Sequence, residues 1–413
     1  MNIHFDPVVA NRIKRAWGKL TPDQKQMILP MLLKAHQQAV TVSQSKVAPQ
    51  TDPTVNDSLL LTYSALTDDQ DAVLSSIEAG VVLVGPEGQL WGTGKYQQLD
   101  PGWTEAAAVW LEHVFTGKHH FPNNPPVIPI DDSVQIGLAG DWGTGNWRSP
   151  ANPAPSTDVA IHLAFLQPDI TIHLGDVYYA GTKEQEDNLL VDLWPAGPKG
   201  SFTLNSNHEM YSGGSPYFDV ALASPKFALQ KQSSYFALEN SKWIVVGLDS
   251  AYYSSEEGMY MEGSLGDDGV QVAFLKAQVD KNKRIIVLTH HNGLSDDGST
   301  TNALWDQVMS AFPANAGPAM WYWGHIHAGV VYKNHDPQGR NVPCRCCGHS
   351  ALPWGQAPVF NNPNNVLWYE KRSANDPDIR ERVLNGFAVL YLEDSKIDEV
   401  FYDENGGVAW AST

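Results

Sequence analysis

The sequence predicts an α/β protein: a sheet core covered by helices, preceded by a smaller region of mixed helix and hairpin. Three observations lead there. Short apolar runs of four to seven residues recur from Val134 onward, rich in Val, Ile, Leu, Phe or Trp and too short to be helices. Helical segments alternate with them, at Thr157 to Leu166, Val270 to Val279 and Thr301 to Phe312. Runs that end in Asp, Asn or His deliver those residues to what would be one rim of one sheet, where open α/β folds bind ligands.

In chain order, Asp6-Pro7 reads as an N-cap with Pro at N1, and Val9, Ile13, Trp17 and Leu20 repeat at helical spacing. Thr21 to Gln24 is a capping box opening a second helix to about His36. Residues 41–57 are polar and loop-like, and Thr67 to Gln70 opens a third helix closed by Gly80. Val81 to Val84 and Gln89 to Gly92 flank Pro86-Glu87-Gly88 as a β-hairpin, and Trp103 to Phe115 is a further helix. This first unit, residues 1–130, carries no catalytic grouping. Its expected part is to pack on the core, form an oligomer contact or shape the mouth of the site. The proline-rich stretch 118–133 reads as a boundary before a second unit, residues 131–413. Phe387 to Leu392, Ile397 to Tyr402 and Val408 to Trp410 read as a closing antiparallel edge.

With 413 residues and 42% hydrophobic content the chain can bury a sizeable core. Its formal charge of −19 argues against a nucleic-acid backbone or an anionic membrane as partner. The same charge repels a phosphate at long range, so a phosphate site would need local positive charge, which metal ions supply economically. Met1 to Pro7 has neither a basic stretch nor an apolar one, and no run reaches the length of a spanning helix, so a cytoplasmic, soluble protein is expected. Three cysteines disfavour a disulfide scaffold.

The strand ends carry the chemistry. Val134 to Ala139 runs into Gly140-Asp141-Trp142-Gly143, and Ile170 to Leu174 into Gly175-Asp176-Val177-Tyr178-Tyr179. Ser201 to Asn205 runs into Ser206-Asn207-His208-Glu209, Ile285 to Thr289 into His290-His291, and Ala319 to Trp323 into Gly324-His325-Ile326-His327. Singly, each is weak: a Gly-Asp pair is more often a turn, and a lone His-x-His is more often packed than ligating. Together they offer carboxylates from Asp141 and Asp176, a phenolate from Tyr179, an amide oxygen from Asn207 and imidazoles from His290, His325 and His327. That is too many oxygen and nitrogen donors for one ion, and suits two ions roughly 3.5–4 Å apart sharing a carboxylate.

These ordered motifs (Asp-x-Gly, Gly-Asp-x-x-Tyr, Asn-His-Glu, Val-x-x-His over Val287 to His290, and Gly-His-x-His) resemble those of the calcineurin-like metallophosphoesterases. With Gly143 in the first motif and Tyr179 three residues after Asp176, they most resemble the purple acid phosphatases. The likeness runs from Val134 to the C-terminus. It implies a β-sandwich core flanked by helices and a dinuclear centre. A ferric ion would be held by Asp141, Asp176, Tyr179 and His327. A divalent ion (Fe, Zn or Mn) would be held by Asp176, Asn207, His290 and His325, with Asp176 bridging. His208 would face the substrate phosphate as charge stabiliser or proton donor, oriented by Glu209. A hydroxide held by the ions would attack phosphorus in line, with a small phosphate ester as substrate.

The sequence departs from that pattern at Ser206, where the family has Gly, and it offers His291 beside His290 as a rival ligand, with His290 fitting Val-x-x-His. Cys344, Cys346, Cys347 and His349 read as loop thiols bordering the pocket rather than a metal site. His173 reads as packed, Trp142 and Trp147 as pocket wall or core, and Asp249 as a turn residue or supporting carboxylate. The leading reading is a phosphomonoesterase. Its nearest rival is a phosphodiesterase acting on cyclic or other nucleotides, and a non-catalytic scaffold of the same fold is disfavoured by the complete ligand set.

Overall fold

Alternate residues of the strands are apolar on both sides, so each sheet must be covered on both faces. Along Arg284–Leu288, Ile286 and Leu288 enter one apolar cluster while Ile285 and Val287 enter another. The computed structural model resolves that demand as two packed sheets with helices outside them, and describes residues 5–45, 47–48, 55–67, 82–267, 269–333 and 340–412.

One sheet has eight strands, in the order Val366–Tyr369, Gly329–Tyr332, Cys344–Cys347, Met320–Trp323, Arg284–Leu288, Trp243–Gly247, Phe236–Glu239 and Val127–Pro129. The other has six, in the order Val408–Ala411, Lys396–Asp403, Gly386–Glu393, Ser133–Ala139, Ile170–His173 and Gly200–Thr203. Between them lies a shared core of Ile136, Leu138, Ile172, Phe202, Phe236 and Leu288. Helices Val270–Val279 and Ala303–Ser310 cover the outer face of the larger sheet through Leu275, Leu304 and Trp305. Pro155–Leu166 covers the smaller one through Val159 and Leu163. The architecture is thus a helix-flanked sandwich of mixed sheets.

The expectation of a single sheet rim is corrected here. Asp141, Asp176 and Asn207 follow strands of the six-stranded sheet, whereas His290, His325 and His327 follow strands of the eight-stranded one. Apolar runs identify strands but not their neighbours, which depend on long-range pairing. Within each sheet the relevant strands are parallel: Ile136 pairs with Ile170 and Ile170 with Gly200, while Met320 pairs with Ile286. Their carboxyl ends therefore emerge together. The C-terminal strands add antiparallel, Leu390 opposite Ile136.

The N-terminal helices are Pro7–Lys19, Pro22–Ser45, Asp57–Leu60, Thr62–Thr67 and Trp103–His113. The second runs beyond His36 to Ser45, so part of the expected loop is helical. The helix expected from Thr67 to Gly80 falls, after Thr67, outside the described residues. Leu83–Val84 and Leu90–Trp91 pair as the expected hairpin. Ile13, Ile28, Leu32 and Trp110 share one apolar cluster with Tyr178, Met210 and Tyr217, so the first unit packs directly on the loops that bear Asp176 and Asn207. The 118–133 stretch also supplies a strand, Val127–Pro129, parallel to Phe236–Glu239. Among the described residues no helix is long and apolar enough to cross a membrane.

Candidate metal centre

Three of the strand-end residues sit in left-handed backbone conformations that side-chain-bearing residues adopt only at a cost: Asp141 (φ 57°), Asp176 (φ 78°) and His325 (φ 64°). Such positions cluster at functional sites. Glycines let the chain come this close. A Cβ on Gly324 would lie 2.5 Å from Asp141 Oδ2, and one on Gly175, itself at φ 102°, would lie 2.7 Å from His290 Nδ1.

The ends of both sheets converge on one cluster. Ligand atoms of Asp141, Asp176 and His290 lie within 4.8 Å of one another. His290 donates its Nδ1 proton to the carbonyl of Leu174 at 2.9 Å, which leaves Nε2 as a bare acceptor. That nitrogen is 2.9 Å from Asn207 Oδ1, 3.2 Å from His325 Nδ1 and 3.3 Å from Asp176 Oδ1. On the other side, Asp176 Oδ2 accepts from the hydroxyl of Tyr178 at 2.8 Å. The same hydroxyl is 3.3 Å from His327 Nε2, and His327 Nε2 is 3.4 Å from Asp141 Oδ1. Asp141 Oδ2 accepts from the His325 amide at 2.8 Å, but Oδ1 is buried with no hydrogen-bond donor among the described residues.

Two carboxylates so close cannot both be ionised without a cation. Burial, then the charge of Asp176, pushes the Asp141 carboxyl well above its usual range. Burial also opposes ionisation of Asp176, but its interactions with His290 and His208, together with hydrogen bonds that include the Ser206 hydroxyl, hold that group below its usual range. Burial pushes the imidazoles of His290, His325 and His327 below their usual range, toward the neutral form in which imidazole ligates.

Several candidates fall elsewhere. Tyr179 is not in the cluster: its hydroxyl bonds Asp100 and its ring lies under Lys95, 4.3 Å from the centroid to Nζ. Its neighbour Tyr178, which the motif spacing did not select, faces the carboxylates instead. His291 has both ring nitrogens engaged away from the cluster, with Ser250 Oγ at 2.9 Å and the Tyr260 carbonyl at 2.8 Å. The His208 ring is oriented by the Tyr179 carbonyl, not by the Glu209 carboxyl. That carboxyl bonds the Ser206 hydroxyl, which also bonds Asp176 Oδ1. One hydroxyl proton cannot serve both carboxylates, and burial raises Glu209 well above its usual range, which favours the proton on Glu209 over Asp176. Ser206 itself is extended (φ −138°), where a side chain costs nothing, and its Oγ caps the His208 amide at 3.1 Å.

The cysteines form a buried strand, Cys344–Cys347, and burial pushes the thiols of Cys346 and Cys347 up, so the expected loop thiols at the pocket are corrected. Trp142 is core, donating to the Ser156 carbonyl at 2.7 Å. His173 is packed against Trp194, and Asp249 caps its own turn through the amides of Ala251 and Tyr252.

A cavity of about 440 Å³ opens over the cluster, with Asp176, Asn207, His208, His325 and His327 on its floor. Much of its wall comes from the first 130 residues, including Gln38, Asn56, Trp91, Gln98 and Trp103. Asn56 and Asn207 both donate to the hydroxyl of Tyr211, at 3.0 and 3.1 Å, which couples the wall to the floor.

Residues 134–329 match the family model of the calcineurin-like phosphoesterases. Solved structures similar to the chain include purple acid phosphatase PPD1 from yellow lupin (Lupinus luteus) seeds, 15% identical with a TM-score of 0.46 over 70% of this chain. The chain spans about half, 54%, of that lupin protein. GAP50, the anchor in the inner membrane complex of Plasmodium, is 15% identical with a TM-score of 0.45, covering 68% of this chain and 88% of its own. A dimetal phosphatase from Danio rerio is 15% identical with a TM-score of 0.41, covering 65% and 95%. Among curated proteins none matches significantly.

Proposed function

Since the chain carries a calcineurin-like phosphoesterase domain over residues 134–329, we propose that it hydrolyses phosphate esters, foremost monoesters, with two metal ions at the meeting point of its sheets. The donor set fits such a pair. Asp141, Asp176, Tyr178 and His327 would hold one ion, and Asp176, Asn207, His290 and His325 the other, the two oxygens of Asp176 facing opposite groups. A phenol beside carboxylates suits a hard trivalent ion such as ferric iron, and imidazoles with an amide oxygen suit divalent iron, zinc or manganese. Bound there, the ions supply Lewis acidity, which lowers the pKa of a bound water to about 7 and neutralises phosphoryl oxygens.

The protein's own groups do the rest. His208 is held by the Tyr179 carbonyl at 2.7 Å, so Nδ1 keeps its proton and Nε2 faces the cavity; in the imidazolium form Nε2 carries the second proton, which would pass to the leaving oxygen and leave the neutral ring. Ser206 ties Asp176 to Glu209 and fixes the orientation of the shared carboxylate.

The observation that carries this reading is the buried convergence of lone pairs: Asp141 Oδ1 with no donor among the described residues, and His290 Nε2 facing oxygen and nitrogen acceptors. Such a set is costly until a cation fills it. The test combines elemental analysis of the purified protein with turnover of p-nitrophenyl phosphate and bis-p-nitrophenyl phosphate. About two metal ions per chain and faster monoester turnover are expected. A faster diester reaction would move the assignment to a phosphodiesterase, and a metal-free protein without either activity would leave a scaffold.

A further inference from the structure

Resting on the phosphoesterase reading, we propose that the substrate is the phosphate monoester of an uncharged polyhydroxy alcohol of monosaccharide size. The cavity supplies the argument. At about 440 Å³ it is in the range of small-ligand pockets, and among the described residues lining it there is no Lys or Arg. Its positive charge would come from the floor alone, from the metals and His208. One phosphate can be neutralised there, and a second charged group would meet a wall without a counter-ion.

That wall is built from carboxamides: Gln38, Asn56, Gln89, Gln98, Asn292 and Asn302. Several are already oriented, Gln98 by donation to Asp57 at 2.9 Å and Gln89 by donation to Glu87 at 2.7 Å. Each carboxamide carries both a donor and an acceptor, and a hydroxyl group is both, so a polyol matches such a wall.

Four carboxyls also line the cavity, Asp57, Glu87, Glu262 and Asp296, and a second anionic group on the substrate would meet them. Burial, then the charge of Glu87, pushes Asp57 and Asp296 up to about 7. Near neutrality both are partly protonated, and they serve a polyol as hydrogen-bonding groups rather than as fixed counter-charges.

A matched panel tests this: glucose 6-phosphate, glucose 1,6-bisphosphate, 6-phosphogluconate and glucosamine 6-phosphate. They share a six-carbon backbone and add a second phosphate, a carboxylate or an ammonium group. The neutral ester is expected to have a kcat/KM about tenfold or more above each of the others. Equal or better turnover of the bisphosphate or the carboxylate would overturn the proposal, and a preference for the ammonium ester would assign a cationic alcohol in its place. Calorimetric binding of the same panel to a His208→Asn variant separates this claim from the catalytic one. A binding preference for the neutral ester supports the wall argument whether or not turnover is seen, and indifference to the added charge refutes it even if p-nitrophenyl phosphate is hydrolysed.

Discussion

His208 donates from Nδ1 to the carbonyl oxygen of Tyr179, 2.7 Å away, and its Nε2 stands 3.9 Å from Asp176 Oδ2. A carbonyl only accepts, so this one contact keeps a proton on Nδ1 and fixes the direction of the ring, and a proton given from Nε2 must come from the imidazolium form. Tyr179 is fixed in turn by the hydrogen bond of its hydroxyl to Asp100, a residue of the N-terminal unit. The first 130 residues therefore reach the proposed proton donor through the backbone of the residue they anchor.

If His208 is that donor, its importance depends on the leaving group. His208→Asn is expected to lower kcat for an alkyl phosphate by about 10²–10³-fold. The loss for p-nitrophenyl phosphate, whose leaving group needs no proton, is expected to be at least tenfold smaller, with metal content unchanged. Equal losses on both esters would assign the imidazole to binding the phosphate rather than protonating the leaving oxygen.

Adjacent tyrosines give a second test. Only the Tyr178 hydroxyl lies beside Asp176 and His327. In iron-loaded protein the phenolate-to-iron visible band is expected to vanish in Tyr178→Phe and persist in Tyr179→Phe. The second variant is expected to act by another route, destabilising the fold by about 1–3 kcal/mol, because Asp100 loses a buried donor. Colour lost in Tyr179→Phe and kept in Tyr178→Phe would restore the spacing-based choice.

What was legible in the sequence was the kind of residue each strand delivers, because an apolar run followed by Gly and a ligand type is a local pattern. Orientation was not local. Whether Tyr178 or Tyr179 turns inward is decided by Asp100, far away in sequence, and His290 differs from His291 through the Leu174 carbonyl and Ser250. The cysteine strand was hidden because Cys-Arg-Cys-Cys lacks the usual apolar signature. Its Arg345 is paired with Glu399 at 2.8 Å, a partner no local window contains. The cavity wall was equally out of reach, since Gln38, Trp91 and Gln98 meet the centre only through tertiary packing.

Metal removal should cost stability as well as activity. The buried pair Asp141 and Asp176 repel each other unless a proton or a cation lies between them. An ion present at 100 times its Kd adds about 2.7 kcal/mol to the folded state. Chelation is thus expected to lower Tm by several degrees, with recovery on adding back zinc or iron. Asp141→Asn is expected to show a smaller chelator effect, because it removes both a ligand and the repulsion. A Tm indifferent to chelator in the wild-type chain would mean that no ion is bound at the cluster.

Glu186 offers a pH test away from the proposed ligands. It is fully buried, both carboxyl oxygens lack a donor among the described residues, and burial raises it to about 8. In the unfolded chain it titrates near 4.5. Between those values the folded protein keeps a proton that the unfolded chain has lost. Stability therefore falls as pH rises through this window, and the full penalty is present above it. Glu186→Gln removes the titration. Relative to wild type, the variant is expected to gain on the order of 2–4 kcal/mol between pH 5 and pH 8.5, read as thermal midpoints that diverge with rising pH. The neighbouring Glu209 carries part of the same penalty, because the charge of Glu186 helps to raise it. The double variant Glu186→Gln, Glu209→Gln should then gain less than the sum of the single changes. Parallel midpoint curves for wild type and Glu186→Gln would show that the carboxyl is hydrated and ionised in the folded state.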